Sequence, residues 1–150
     1  MEEKKKKIIL AADHAGFELK EKLKEVLNES EVPFDDLTPK FDKEDDYTDE
    51  AFKAARKVVK DKTQGILVCG TGIGMCIAAN KVKGAMAAMA YDEKTARLSR
   101  QHNDANILCL GARTTEEGEA VKALKAWLIT RFLEGRHAIR VNKIKEFERG

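Results

Sequence analysis

The spacing of apolar positions changes repeatedly along the chain, between the period of a strand and the period of a helix. Five short apolar runs, bounded by polar, glycine or proline residues, are predicted to be β-strands at 7–12, 32–37, 65–69, 84–90 and 105–111. After the first run, Leu19, Leu23 and Leu27 recur at helical spacing. Strands that alternate with helices are typical of a parallel sheet with helices on both faces. The pattern therefore predicts an α/β fold with a five-stranded parallel sheet.

Local signals refine the positions of these elements. Pro33 in the second run is typical of an edge strand. The third run, GILVC, shows no alternation, as expected for a strand that is covered on both faces. After the fifth run, TTEE (114–117) has the spacing of a capping box and predicts the start of a helix. A final helix is predicted over about 136–149.

Length, charge and cysteine content limit the classes of protein to consider. The 150 residues contain no linker rich in proline, serine or glycine, so we expect a single domain over 1–150. A net charge of +2 gives no reason to expect nucleic acid or a membrane surface as a partner. No apolar run has the length of a signal peptide or of a bilayer span. Three cysteines without a CxxC pair indicate a reducing compartment, so we expect a cytoplasmic protein.

Polar segments follow four of the predicted strands. They are DHAG (13–16), CGTGIG (69–74), YDE (91–93) and GAR (111–113). A fifth polar segment, SRQHNDAN (99–106), lies between the fourth and fifth strands. Because parallel sheets bind ligands beyond the carboxyl ends of their strands, we expect all five segments at that edge of the sheet, with the site among them.

The glycines of CGTGIG invite comparison with nucleotide-binding loops. A strand precedes them, a helical pattern follows, and Asp92 lies where a ribose-binding acid would be expected. However, the spacing is GxGxG, Met75 occupies the place of the third glycine, and the segment follows the third strand, whereas the dinucleotide turn usually follows the first. Lys81 is also out of register for a phosphate-binding loop of the GxxxxGK[ST] type. Both nucleotide interpretations are therefore disfavoured.

The same glycines could instead bind an oxyanion. A sharp turn before a helix directs successive backbone N–H groups to one point. Cys69 lies at the rim of this turn, where nearby N–H groups would lower the pKa of a thiol from about 8.5. The alternative is a buried cysteine at a strand end, without a chemical role. For Cys76, in a helix, and Cys109, inside a strand, that structural interpretation is the one we expect.

Histidines and arginines supply further candidates. His14 follows the first strand, and His102 lies in the polar segment 99–106, so either can be structural or part of a site. No histidine pair has the spacing of metal ligands, so we expect no metal. Arg136 and Arg140 are one helical turn apart and, together with Arg113, offer the forked donors that suit a phosphate dianion.

Four motifs resemble those of the type B ribose-5-phosphate isomerases, a family shared with galactose-6-phosphate and allose-6-phosphate isomerases. They are DHAGFELK, CGTGIGMCIAANK, LSRQHNDANILCLGAR and GRHAIRV, and the similarity extends over essentially the whole chain. The resemblance implies a Rossmann-like three-layer α/β/α sandwich and an aldose–ketose isomerase that interconverts D-ribose 5-phosphate and D-ribulose 5-phosphate. It also implies a homodimer or tetramer whose active sites are built from two subunits, and no cofactor.

The resemblance assigns catalytic roles to four residues. By similarity, Cys69 is the base that moves a proton between the first two carbons of the sugar, and Thr71 helps to hold the enediolate. His102 helps to open the furanose ring, and Asp13 lies close by. This assignment agrees with the chemistry of the glycine turn, because removal of a proton next to a carbonyl needs both a base and stabilisation of the oxyanion that develops.

The remaining predicted site residues bind the substrate. By similarity, the amides of the turn hold the enediolate; they belong to Gly70, Gly72 and Gly74. The phosphate is bound by His14, Arg113, Arg136 and Arg140, some of them from the neighbouring subunit. The sugar is contacted by Tyr47 and Asn103.

Some features depart from the family pattern. Certain members use a glutamate in the glycine loop in place of the cysteine, but Met75 occupies that place here and cannot accept a proton. Thr48 stands where the family usually has proline, and GAMAAM (84–89) replaces a Gly-Ile-Arg start, so a six-carbon sugar phosphate remains an alternative substrate. A protein that binds phosphosugars without catalysis is the alternative of a different class.

Overall fold

The computed structural model describes residues 6–150 and contains five strands and six helices in this part of the chain. The elements are β1 (Ile8–Ala12), α1 (Phe17–Glu29), β2 (Phe34–Asp36), α2 (Tyr47–Asp61), β3 (Gln64–Cys69), α3 (Ile73–Ala79), β4 (Ala87–Met89), α4 (Glu93–Asn103), β5 (Ile107–Gly111), α5 (Glu117–Ile129) and α6 (Arg136–Arg149). All strand pairs are parallel, in the order β2-β1-β3-β5-β4. The predicted α/β/α sandwich with a five-stranded parallel sheet is confirmed.

The three central strands are buried on both faces, and alternate side chains enter different cores. In β3, Ile66 and Val68 pack with α1, α4 and α5, whereas Leu67 and Cys69 pack with α2 and α3. This division follows from right-handed crossovers between parallel strands. Connections that run in one direction along the strand order place their helices on one face of the sheet, and connections that run in the opposite direction place them on the other face. Cys69 therefore points toward the layer formed by α2 and α3.

The strand order creates a switch point between β1 and β3. The chain leaves β1 for one edge of the sheet through β2 and then returns to the other side of β1 through β3. At such a point the connections after the two strands diverge, which opens a crevice at the carboxyl edge of the sheet. The segments that begin at Asp13 and at Gly70 both leave the sheet here.

One capping prediction is wrong, because α5 begins at Glu117 without a side-chain cap from the TTEE segment. The capping box is found at the start of α4. There the Asp92 carboxylate accepts from the Thr95 N–H at 2.8 Å, and the Thr95 hydroxyl accepts from the Asp92 N–H at 3.2 Å. This cap also explains Asp92, the residue that resembled a ribose-binding acid.

The fourth strand is shorter than predicted, and side-chain amides make several of the hydrogen bonds around it. Asn106 accepts from the Met86 N–H at 2.8 Å and donates to the Gly84 carbonyl at 3.0 Å. On the open edge, the Asn80 amide accepts from the Ala87 N–H and donates to its carbonyl, at 2.7 and 2.9 Å. The exposed edge of the sheet is thus closed by an amide that imitates a strand.

The C-terminal helix lies outside the two cores. Only Val141 of α6 is buried, whereas Ile139, Ile144 and Phe147 are exposed by 63%, 49% and 88%. Besides the packing of Val141, α6 is held at its C-terminal end, where the Glu148 carboxylate accepts from the Gly84 N–H at 2.8 Å. None of the helices within 6–150 combines the length and the apolar character needed to cross a membrane.

Candidate active site

Cys69 ends β3 at the switch point and is hydrogen-bonded by the glycine turn that follows it. Its side chain is nearly buried, and the Gly72 N–H donates to the Sγ atom at 3.2 Å. Gly72 has a φ of +80°, and a Cβ atom there would lie 3.0 Å from the Leu110 carbonyl carbon, so both conformation and space require glycine. The turn thus directs a backbone donor at the sulfur, an arrangement that stabilises a thiolate.

The turn also leaves backbone donors for a ligand. The Ile73 N–H donates to the Thr71 hydroxyl at 3.2 Å, and the Cys76 N–H donates to the Gly72 carbonyl at 3.1 Å. Between them, the N–H groups of Gly74 and Met75 have no acceptor within residues 6–150. Their donors are available to an oxyanion close to Cys69. The Met75 side chain is fully buried and fills the core beneath.

Hydrogen bonds beyond the strand ends bring Arg113 to the turn. The Ala112 N–H donates to the Cys69 carbonyl and the Arg113 N–H donates to the Gly70 carbonyl, both at 2.8 Å. The guanidinium of Arg113 also lies at the turn, since a Cβ atom on Gly70 would be 3.4 Å from its Nη1 atom. An exposed cation is therefore placed beside Gly70, at the start of the turn.

Tyr47, the first residue of α2, covers the glycine turn. A Cβ atom on Gly74 would lie 2.5 Å from a ring carbon of Tyr47, so the ring rests directly on this glycine. Tyr47 remains 41% exposed. Its ring therefore forms a wall of the crevice, which agrees with the predicted contact to a sugar.

Asp13 lies at the same edge but has structural partners. It is buried, its carboxylate accepts from the Gly16 N–H at 3.0 Å, and its own N–H donates to the Val68 carbonyl at 3.3 Å. These bonds shape the turn that leads from β1 into α1. The position is close to Cys69, since Asp13 bonds to the residue before it, and one carboxylate oxygen is occupied by the turn.

His14 has an ionic partner that the sequence analysis missed. The Asp45 carboxylate accepts from the His14 N–H at 2.9 Å and lies 2.9 Å from the ring Nδ1. The pKa of His14 is raised above 6.5, chiefly by this hydrogen bond, while loss of solvation opposes the shift. The acidic loop 42–46 was visible in the sequence, but the partner of each acid depends on how the loop folds over β1.

We expect Asp45→Asn to lower the pKa of His14 toward 6.5, because the charged hydrogen-bond partner is removed. The raised pKa stabilises the fold below pH 6.5, and this contribution is lost as the pH rises through the folded-state pKa. NMR titration of the three imidazoles measures the shift, with the other two as internal controls. An unchanged His14 pKa would contradict the assigned partner.

His102 and Asn103 do not lie at this edge, so the prediction that segment 99–106 joins the other four is wrong. They end α4, which runs antiparallel to the strands and enters β5 at its amino end. The Gly65 N–H, at the start of β3, donates to the Asn106 carbonyl at 2.8 Å. The signal was present in the sequence, since a segment that precedes a parallel strand lies at its amino edge.

Arg136 and Arg140 also lie at the amino edge of the sheet, whereas Arg113 lies at the carboxyl edge. The residue between them on α6, His137, stacks on His102 with ring centroids 4.2 Å apart and an angle of 12° between planes. The charges of both arginines act on His137. The predicted set of three phosphate-binding arginines is therefore not assembled within one chain.

The predicted site residues form two groups. The carboxyl-edge group contains Asp13, His14, Tyr47, Cys69, Gly70, Thr71, Gly72, Gly74 and Arg113; the amino-edge group contains His102, Asn103, Arg136 and Arg140. The six residues of β3, at about 3.3 Å each, separate the edges by roughly 16 Å. Neither group has a metal site, since no suitable set of histidine, cysteine or acidic side chains occurs within residues 6–150.

Both groups lie within a match to a known family. The model described as Ribose/Galactose Isomerase matches residues 8–144. The chain belongs to this family. The family inferred from the four motifs is thereby confirmed.

Relatives match this chain over most of its length. The ribose-5-phosphate isomerase B of Mycoplasma genitalium, solved with bound ribulose 5-phosphate, has a TM-score of 0.91 and 46% identity over 95% of this chain and 96% of that one. The ribose-5-phosphate isomerase B of Clostridium thermocellum has a TM-score of 0.93 and 41% identity, over 96% of this chain and 98% of that one. The Mycobacterium leprae protein named ribose-5-phosphate isomerase B is 40% identical over 95% and 90% of the two chains.

Proposed function

We propose that this protein interconverts D-ribose 5-phosphate and D-ribulose 5-phosphate through an enediolate, with Cys69 as the base. The observation that carries the proposal is the hydrogen bond from the Gly72 N–H to the Cys69 sulfur, beside turn N–H groups, such as those of Gly74 and Met75, that have no acceptor within residues 6–150. A base and oxyanion donors within one turn are what proton transfer next to a carbonyl requires. The relatives named as ribose-5-phosphate isomerases support the substrate.

The steps balance without a redox partner. The Cys69 thiolate takes the proton from C2 of the open-chain aldose, and the electron pair of that bond forms the enediolate, with negative charge on O1. The N–H groups of Gly70, Gly74 and Met75, for which no acceptor occurs within residues 6–150, stabilise that charge, and the Thr71 hydroxyl adds a donor. The Gly72 N–H, which was predicted to join them, donates to the sulfur instead. A proton then moves from O2 to O1, which transfers the negative charge to O2. The thiol returns its proton to C1 as the carbonyl forms at C2, and Cys69 is a thiolate again. Since the electrons stay on the substrate, no cofactor is required.

Two copies of the chain would complete each site. Within one chain the amino-edge group cannot reach the Cys69 turn, but a two-fold partner can present its own amino edge to that crevice. The exposed apolar residues of α6 and of α3, such as Ile139 and Ile77, support such a contact. In this arrangement α6 reaches the partner, the partner's Arg136 and Arg140 join Arg113 at the phosphate, and the partner's His102 acts on the furanose ring.

The test is a panel of sugar phosphates with the purified chain. We expect turnover of ribose 5-phosphate with a higher kcat/KM than for allose 6-phosphate or galactose 6-phosphate. A preference for a six-carbon substrate would revise the substrate but keep the reaction. Binding without turnover of any of the three would favour a phosphosugar-binding protein and overturn the proposal.

We infer a cytoplasmic location from the cysteines. Cys69, Cys76 and Cys109 are all free thiols, and none is fully exposed. Free thiols persist in reducing compartments, and the proposed base requires one.

A further inference from the structure

His137 has no role in the function proposed above, yet it is the residue in closest ring contact with His102. The two imidazoles are stacked at 4.2 Å with nearly parallel planes. They come from different helices, α4 and α6, whose sequences are separated by α5 and its connections. The contact therefore depends on how α6 is brought back to the end of α4.

The segment between α5 and α6 is tied to the residues that precede His102. The Arg100 Nε donates to the Thr130 carbonyl at 3.3 Å, and the Leu133 N–H donates to the Gln101 carbonyl at 3.0 Å. Glu134 and Gly135 then take φ values of +62° and +55°, an unfavourable conformation for glutamate that turns the chain sharply. These features place the first turn of α6, and His137 with it, over His102.

The electrostatics of the pair favour a neutral His137. Its pKa is lowered from 6.5 by loss of solvation and then by the charge of His102. Arg136 and Arg140 lower it further. A neutral ring can lie against a charged imidazole, whereas two adjacent charged rings would repel. A neutral His137 is thus suited to lie against His102.

We propose that His137 is a positioning residue that holds the His102 imidazole, by ring stacking, in the orientation needed to open the furanose ring. His102 is a half-buried residue in the last turn of α4, where its side chain would otherwise sample several rotamers. Stacking removes that freedom before the substrate binds, which is the effect that preorganisation requires. The inference rests on the proposed function.

The ring-opening step provides a specific test. Ribose 5-phosphate enters as a furanose and needs ring opening, whereas ribulose 5-phosphate cannot form a furanose because its O5 carries the phosphate. We expect His137→Ala to lower kcat/KM by about ten- to a hundredfold, by the same factor in both directions because the equilibrium constant is fixed. Deuterium incorporation from D2O at C1 of ribulose 5-phosphate needs the enediolate but not the ring, so its rate should fall much less. His137→Phe keeps a flat ring and should restore most of the loss, and Asn142→Ala on the same helix is the control.

NMR gives a second readout that does not use activity. With three histidines in the chain, the His102 ring signal can be assigned by substitution, and it should lose its ring-current shift in His137→Ala but not in His137→Phe. Equal losses of isomerisation and of deuterium incorporation, no loss in either, or an unshifted His102 signal would each overturn the inference while wild type remains active. An inactive wild type would overturn the proposed function itself.

Discussion

Replacement of Cys69 by alanine will lower the turnover of ribose 5-phosphate by about a hundred- to ten-thousandfold, the usual contribution of a general base. The loss arises because no other proton acceptor lies in the glycine turn. Met75, which stands where some family members have a glutamate, is buried in the core and cannot accept a proton. Steady-state kinetics in both directions, with the expected fall in kcat, measures the effect.

Substrate binding should survive this replacement. Arg113 and the backbone donors of Gly74 and Met75 are independent of the sulfur, so calorimetric affinity for ribose 5-phosphate should change little. Cys76→Ala is the matched control, because it removes a half-buried thiol from α3 without changing the turn. Retention of turnover in Cys69→Ala would exclude the cysteine as base, and a similar loss in Cys76→Ala would indicate a general disturbance of α3.

Mixing two inactive variants will restore activity if each site draws on two chains. Cys69→Ala damages the carboxyl-edge group and Arg140→Ala damages the amino-edge group. In a mixed dimer, one site receives both defects and the other receives neither. Equal mixing should therefore recover about a quarter of wild-type activity, because half of the dimers are mixed and each has one intact site.

A second mixture provides the control for subunit exchange. Cys69→Ala and Arg113→Ala both damage the carboxyl-edge group, since the Arg113 guanidinium lies beside Gly70. Every site in that mixture carries a defect, so no recovery is expected. Exchange should be verified by native mass spectrometry with a tagged chain. Failure of the first mixture despite verified exchange, or recovery in the second, would contradict shared sites.

Local chemistry was enough to predict most elements and the Cys69 turn. The apolar run 65–69 followed by alternate glycines specifies a buried strand and a sharp turn, because side-chain burial and φ at Gly72 depend on neighbouring residues. The same local reasoning failed at TTEE, where the pattern is correct but the backbone enters α5 by a different route. A pattern of residue types states which cap is possible, and tertiary contacts decide which one forms.

What the sequence determined by itself was the sheet and the family, since these follow from periodicity and motif. What only the tertiary structure decided was the distribution of the predicted site residues over two edges. Strand order, helix direction and the path of loop 37–46 are long-range properties, and they separate His102 from Cys69, pair His14 with Asp45 and stack His137 on His102. These contacts join residues distant in sequence, so no local pattern encodes them.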